Sequence, residues 1–244
     1  MKNNKKDFKK KVFILGASSD IGISLIEIYL KNNYNIIAHY NKGNKNFFNL
    51  LKKNKNISPV KFDFSNNLKK ISNFCKKPLF YNCDVFINAA AVIKENSYYK
   101  NNAKDILDSL KINLIPGILL TKNIGKKMYK KRWGRIVHLG SIGVKFGGGQ
   151  KNFPYSLSKH GLEFFPSTTK SWIKNNVFIN TIRVGLTKTK IHRNLPSKNL
   201  SKRISLIPMK RMAKVEEISK LVFFLGSDKN TFISHEVINI SGGE

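Results

Sequence analysis

Acidic residues are few in this chain: 14 Asp and Glu stand against 45 Lys and Arg, giving a formal net charge of +31. A balance this basic invites a polyanion partner. Arginine is scarce as well, however, at 6 of the 45 basic residues, and arginine is the better phosphate reader. The lysines are spread along the whole length and rise together with 29 Asn and 28 Ile. AT-rich coding drift on a solvated surface accounts for that composition, so a nucleic-acid partner is not expected. Cysteine is nearly absent. Cys75 and Cys83 have no metal-ligand partners at useful spacing, which leaves them as reduced structural thiols. His39, His138 and His160 also lack ligand spacing, so no metal is expected, and His138 alternates with core residues like a structural histidine. No apolar run reaches membrane-spanning length; LVFFLG at 221–226 is a core segment, and no membrane partner is expected. The basic opening MKNNKKDFKKK runs straight into a strand without the apolar segment of a signal peptide, so the expected location is cytoplasmic, with residues 1–10 a basic arm. Internal repeats and low-complexity linkers are missing too, and 244 residues suit one domain over 11–244.

What is present is alternation. KVFIL at 11–15 reads as a strand, Ile21 to Asn32 as a helix and NIIAHY at 35–40 as a second strand. Between the first two lies Gly16-Ala17-Ser18-Ser19-Asp20-Ile21-Gly22, a turn whose backbone N–H groups and following helix N-terminus suit a pyrophosphate. Where the second strand ends, a carboxylate would bind an adenosine ribose and repel a 2′-phosphate. The residues there are His39-Tyr40-Asn41-Lys42, so NADP(H) is favoured over NAD(H). Further strands are read at Val60 to Phe62, ending at Asp63, and at Asp84 to Ile87, Ile136 to Leu139, Val177 to Arg183 and Glu236 to Ile240. Helices are read to about Cys75, from Asn102 to Lys130 with strain near Pro116-Gly117, from Tyr155 on toward Asn175 with a kink at Pro166, and from Val215 to Leu225. Residues 186–212 read as an irregular basic lid, with Lys188, Lys190, Arg193, Lys198, Lys202, Arg203, Lys210 and Arg211 and no acid among them. This order implies a doubly wound α/β fold, a parallel sheet of about seven strands covered on both faces.

The segment 134–161 carries the chemistry. A strand passes through Gly140-Ser141 into a glycine-rich loop and then a helix bearing Tyr155 and Lys159. Four residues apart, the two side chains share a helix face. A phenol with a pKa of about 10 is a poor acid near neutrality unless a cation lowers that value, and Lys159 is such a cation. Ser141 supplies a hydroxyl for the same substrate oxygen.

Taken in order, these features resemble the short-chain dehydrogenase/reductase family from about Lys11 to the C-terminus. GASSDIG is similar to its cofactor turn, Asp63 to the acidic residue at the adenine, and Asn88-Ala89-Ala90-Ala91 to its NNAG. Asn113, Ser141, Tyr155 and Lys159 match its catalytic tetrad, RVGLTKT at 183–189 its nicotinamide segment, and INISGG its C-terminal signature. The subgroup that it looks most like is the β-ketoacyl carrier-protein reductases. The resemblance implies a Rossmann-like fold and hydride transfer between a nicotinamide and a carbonyl or alcohol carbon. It implies cofactor contacts from Gly16, Ser18, Ser19, Asp20, Ile21, Gly22, Tyr40, Asn41, Lys42, Asp63, Phe64, Asn88, Ala89, Ala90, Tyr155, Lys159, Gly185, Thr187 and Thr189. Ser141 and Tyr155 would bind the carbonyl oxygen, Tyr155 would donate the proton, Lys159 would lower the Tyr155 pKa and hold the ribose, and Asn113 would position a water. A small or carrier-bound carbonyl substrate and a homo-oligomer, tetramer or dimer, are implied as well. A sugar or nucleotide-sugar ketone is the alternative substrate, and a cofactor-bound or RNA-associated scaffold the alternative class. The chain departs from the pattern where Asp20 replaces a glycine, Leu15 a threonine, Val184 a proline and Ser241 an aspartate.

Overall fold

The computed structural model describes residues 9–190 and 197–244. Seven strands, β1 (Lys11–Leu15), β2 (Asn35–Tyr40), β3 (Ile57–Lys61), β4 (Val85–Asn88), β5 (Gly134–Leu139), β6 (Val177–Val184) and β7 (Val237–Ile240), form one sheet in the order β3-β2-β1-β4-β5-β6-β7. Every pairing is parallel. The period-two alternation of side chains sends Val12 and Ile14 to one face and Phe13 and Leu15 to the other, and all four are fully buried. The first face is covered by α1 (Asp20–Lys31), α2 (Lys45–Lys53) and α8 (Val215–Leu225), which contribute Leu25, Ile26, Phe47 and Val222 to its core. The second is covered by α3 (Leu68–Cys75) and α5 (Ile115–Lys131), through Ile71, Phe74, Leu120 and Ile124. Strand order reverses between β1 and β4, and in open α/β sheets ligands bind beyond the strand C-termini at such a point.

Several boundaries differ from those expected. The third strand starts at Ile57 and ends at Lys61 rather than spanning 60–62. Pro59 conceals it in the sequence, but β3 is the sheet edge, where a missing N–H costs no ladder bond. Helix α2 was not anticipated, because it is short and strongly basic; Asn44 caps it, accepting from Phe47 N. The helix over 102–130 is two helices, α4 (Ala103–Asn113) and α5, divided at Leu114. Pro116 has no N–H to offer Ile112, so the division follows from the proline. The helix carrying Tyr155, α6 (Phe153–His160), does not run on to Asn175. It passes through a 3₁₀ turn at Gly161–Glu163 and an extended Phe164 before a second 3₁₀ stretch, Ser167–Asn175. Pro166 cannot satisfy the Leu162 carbonyl, and Thr181 Oγ1 of β6 donates to it instead at 2.7 Å. The basic segment 186–212 contains a helix, α7 (Ser197–Ser205). Residues 1–8 of the N-terminal arm, and Arg193, lie outside the described residues, as does the Lys198 side chain.

Candidate active site

The glycine-rich turn is shaped by contacts that no side chain would tolerate. Gly16 has φ +83°, and a Cβ there would lie 2.7 Å from Ala90 N at the end of β4. A Cβ on Gly22 would lie 2.5 Å from Gly16 O, so the first turn of α1 packs directly on the loop that leads into it. Ser19 caps α1, its Oγ accepting from Gly22 N at 3.0 Å. The remaining first-turn N–H groups have no partner within the helix, and with the positive end of the helix dipole they would suit an anion. Ser18 Oγ donates to Lys42 O, which brings the end of β2 to the turn. Ile21 is half-buried just inside α1. His39, on β2, holds the turn from below: its Nδ1 accepts from Gly16 N at 3.2 Å while Nε2 donates to Phe62 O at 3.0 Å. Burial pushes the His39 pKa down to about 4, so the ring stays neutral in that role.

Beyond β2, Tyr40 packs on Phe47, and Asn41 and Lys42 are exposed. Asp63 does not cap α3; that role belongs to Asn67. Its Oδ1 accepts from Ser65 N at 2.8 Å, and this bond leads the causes that hold its carboxyl below the usual range. Phe64 is buried beside it, against His39. Gly185 needs to be small, since a Cβ would meet Ser241 Cα at 2.6 Å. Thr187 folds its hydroxyl onto Gly185 O, and Thr189 onto Thr187 O.

The four expected catalytic side chains come from three places: Asn113 from α4, Ser141 from the turn after β5, and Tyr155 and Lys159 from α6. Lys159 is 1% exposed, and its Nζ donates to Ala90 O at 3.1 Å and Leu139 O at 2.9 Å, joining the ends of β4 and β5. Burial pulls its pKa from 10.5 down to about 7. The ammonium lies 5.9 Å from the centre of the Tyr155 ring. Tyr155 departs from expectation: its phenol is held above the ordinary value by burial, opposed by a hydrogen bond with Ser141, and Lys159 is not among the causes. With its own pKa pulled down to about 7, Lys159 is already neutral at the pH where the phenol ionises, and its Nζ is engaged by two carbonyls. Ser141 is near enough to the phenol to lower its pKa, and its Oγ also accepts from Gly143 N at 3.3 Å. Asn113 is also placed differently from expectation. Its Oδ1 accepts from Val92 N at 2.8 Å, and its Nδ2 lies 3.0–3.1 Å from Val92 O, Ser109 Oγ and Ser158 Oγ. That amide is filled by protein partners and stitches the segment after β4 to α4 and α6.

A family profile described as enoyl-(acyl carrier protein) reductase matches residues 16–244. The chain is 34% identical over 98% of its length, and 98% of the relative's, to a 3-oxoacyl-(acyl-carrier-protein) reductase FabG of Buchnera aphidicola subsp. Baizongia pistaciae. It is 30% identical over 96% of its length, and 88% of the relative's, to the same-named protein of Buchnera aphidicola subsp. Schizaphis graminum. The chain belongs to the short-chain dehydrogenase/reductase family. It is an oxidoreductase of that family. A solved 3-oxoacyl (acyl-carrier-protein) reductase from Agrobacterium tumefaciens C58 with NADP bound superposes with a TM-score of 0.85, covering 96% of this chain and 94% of that one at 19% identity. The seven-stranded Rossmann-like fold is thus the fold of its structural neighbours.

Sequence reasoning left parts of this dehydrogenase/reductase site unread. Asn88 Nδ2 lies 3.2 Å from His138 Nδ1, whose Nε2 is 3.2 Å from Thr121 Oγ1, a buried chain next to Lys159. Burial first, then the Lys159 charge, pushes the His138 pKa down to about 3. Glu163 and Arg183 form a bidentate pair at 2.7–2.8 Å behind Gly140. Nothing in their spacing, 17 and 50 residues in the first set and 20 in the second, announces either set of contacts.

Proposed function

We propose that this chain is an NADP(H)-dependent ketoreductase acting on a 3-oxoacyl group carried as a thioester. The reading is supported by Ser141 acting on the Tyr155 phenol and by Lys159, one turn along α6, bound to the ends of β4 and β5. The substrate class is supported by the two 3-oxoacyl-carrier reductases that it resembles over almost their whole length. The cofactor is supported by the NADP-bound structural neighbour and by the absence of a carboxylate where β2 ends at Tyr40, Asn41 and Lys42.

The residues present fit a dinucleotide. The Gly16 and Gly22 cradle would take the pyrophosphate with Ser18, Ser19 and Ile21, and Lys42, Asn41 and Tyr40 the adenosine end with its 2′-phosphate. Asp63 and Phe64 would border the adenine, and Asn88, Ala89, Ala90, Gly185, Thr187 and Thr189 the nicotinamide half. When bound, NADPH supplies the hydride that reduces the carbonyl carbon. Ser141 Oγ and Tyr155 Oη bind the carbonyl oxygen and favour the negative charge that develops on it. Tyr155 gives its proton to that oxygen; general acid catalysis of this kind contributes roughly a hundred- to ten-thousand-fold. Lys159 has donor capacity beyond its two carbonyls and holds the ribose hydroxyls. With the Asn113 amide occupied, positioning of a water for proton resupply falls to its main-chain carbonyl at the broken turn before α5.

Residues 11–244 act as one domain, with the described parts of the basic segment, 186–190 and 197–212, bordering the substrate. Copies of the chain associate, tetramer or dimer, through the α4–α6 face, where Leu107, Ile118 and Leu157 are 40–54% exposed. Among the described residues no helix is long and apolar enough to cross a membrane, and the protein works in the cytoplasm. The test is Tyr155→Phe: turnover should fall at least a hundredfold while NADPH binding, followed by fluorescence, stays near that of the unaltered protein. Near-normal turnover in this variant sinks the assignment.

A further inference from the structure

Asp20 puts a carboxylate in the first turn of α1, next to the groups that face the proposed pyrophosphate site. Its Oδ2 accepts the main-chain N–H of Lys190 at 2.6 Å, and Lys190 Nζ lies 3.9 Å from Oδ1. The carboxylate thus sits at the positive end of the helix dipole and accepts a hydrogen bond from the main chain. The partner is 170 positions away. Asp20 follows β1 and Lys190 follows β6, and sheet order places β4 and β5 between those two strands. The contact therefore bridges three strand spacings, about 14 Å of sheet width, above the ends of β4 and β5 where Ala90 and Leu139 hold Lys159.

The segment it ties down is otherwise anchored by an isolated bridge to Ala213, outside the sheet. Ala213 N donates to Leu186 O and Lys188 N to Ala213 O, both at 2.9 Å, after which Thr189 and Lys190 cross toward α1. Thr187 and Thr189 belong to the nicotinamide half of the proposed site. We infer that Asp20 is a positioning residue: by holding Lys190 it fastens segment 186–190 across the dinucleotide cleft and slows release of the cofactor. The carboxylate sits beside the pyrophosphate site without opposing it strongly, since its lone pairs and charge are turned to Lys190. This inference rests on the NADP(H) reading above.

Two measurements on the full chain test it, with Asp20→Ala removing the acceptor and Asp20→Asn keeping one oxygen. In the cofactor-free protein, main-chain hydrogen exchange over 187–190 should quicken in Asp20→Ala. In stopped-flow displacement by excess NADP⁺, NADPH should leave Asp20→Ala about three- to tenfold faster than the unaltered protein, the loss expected for one ordinary hydrogen bond at a partly exposed site. Asp20→Asn should fall between the two. Unchanged exchange at 187–190 overturns the contact. Release from Asp20→Ala as slow as, or slower than, from the unaltered protein overturns the positioning role and leaves the carboxylate as a repulsive charge. If the unaltered protein itself retains no NADPH, the cofactor reading fails, and the exchange result still reports separately on the contact.

Discussion

At the scale of single residues, the energetics turn on Lys159. A lysine 1% exposed whose pKa drops from 10.5 to about 7 carries a burial cost on the order of 5 kcal/mol in its charged form. The sign of its pH dependence follows. The unfolded chain holds this proton up to about 10.5 and the folded chain loses it near 7, so between those values the unfolded state binds more protons and stability rises with pH. Below about 7 the cost is present in full. Replacing Lys159 by Met should flatten this slope by on the order of 1 kcal/mol per pH unit, as read by urea unfolding across the interval; an unchanged slope contradicts the burial account. Spacing in the sequence put Tyr155 and Lys159 on one helix face, and the structure keeps them there. The direction of the ammonium was not legible, because it depends on Ala90 and Leu139, carbonyls 69 and 20 residues away. Lys159 is accordingly not among the groups that shift the Tyr155 pKa. The buried histidines behave alike: His39 and His138 read as bland in sequence, and both are neutral hydrogen-bond relays in the interior.

At the scale of elements, hydrophobic alternation made six of the seven strands visible to within two residues. The exceptions have local causes. Pro59 masked an edge strand, and α2 offered only nine residues with Phe47 as its one buried anchor. Two prolines, Pro116 and Pro166, announced helix breaks, but only the structure shows what each break does. After Pro116 the chain starts α5, and after α6 the Leu162 carbonyl turns to Thr181. Thr181→Val removes that donor at nearly constant volume and leaves a buried carbonyl without a partner. A loss of about 1–3 kcal/mol is expected, measurable by chemical denaturation, with turnover reduced because the end of α6 loses its fastening to β6. A variant as stable as the parent shows that Thr181 is not what holds the end of α6.

At the scale of the whole molecule, the basic charge is distributed rather than gathered. Acids are so few that several serve more than one base: Asp108 lies within 2.8–3.4 Å of Lys94, Lys104 and Lys111. These are exposed pairs of small worth, and the fold rests instead on two apolar cores packed on opposite faces of one sheet. The sheet order alone brings residues after β1, β4, β5 and β6 to one opening, which is why motifs scattered from Gly16 to Thr189 could be read together in advance. Which ketone enters was not legible, since the chain segments around the opening are set by tertiary contact rather than by pattern. The most direct measurement is NADPH consumption by the purified full chain, offered in parallel a 3-oxoacyl thioester, a sugar ketone and a simple ketone. Rapid oxidation with the thioester, lost in Tyr155→Phe, is the predicted result. No oxidation with the thioester alongside turnover of the sugar ketone, or oxidation that survives Tyr155→Phe, would contradict it.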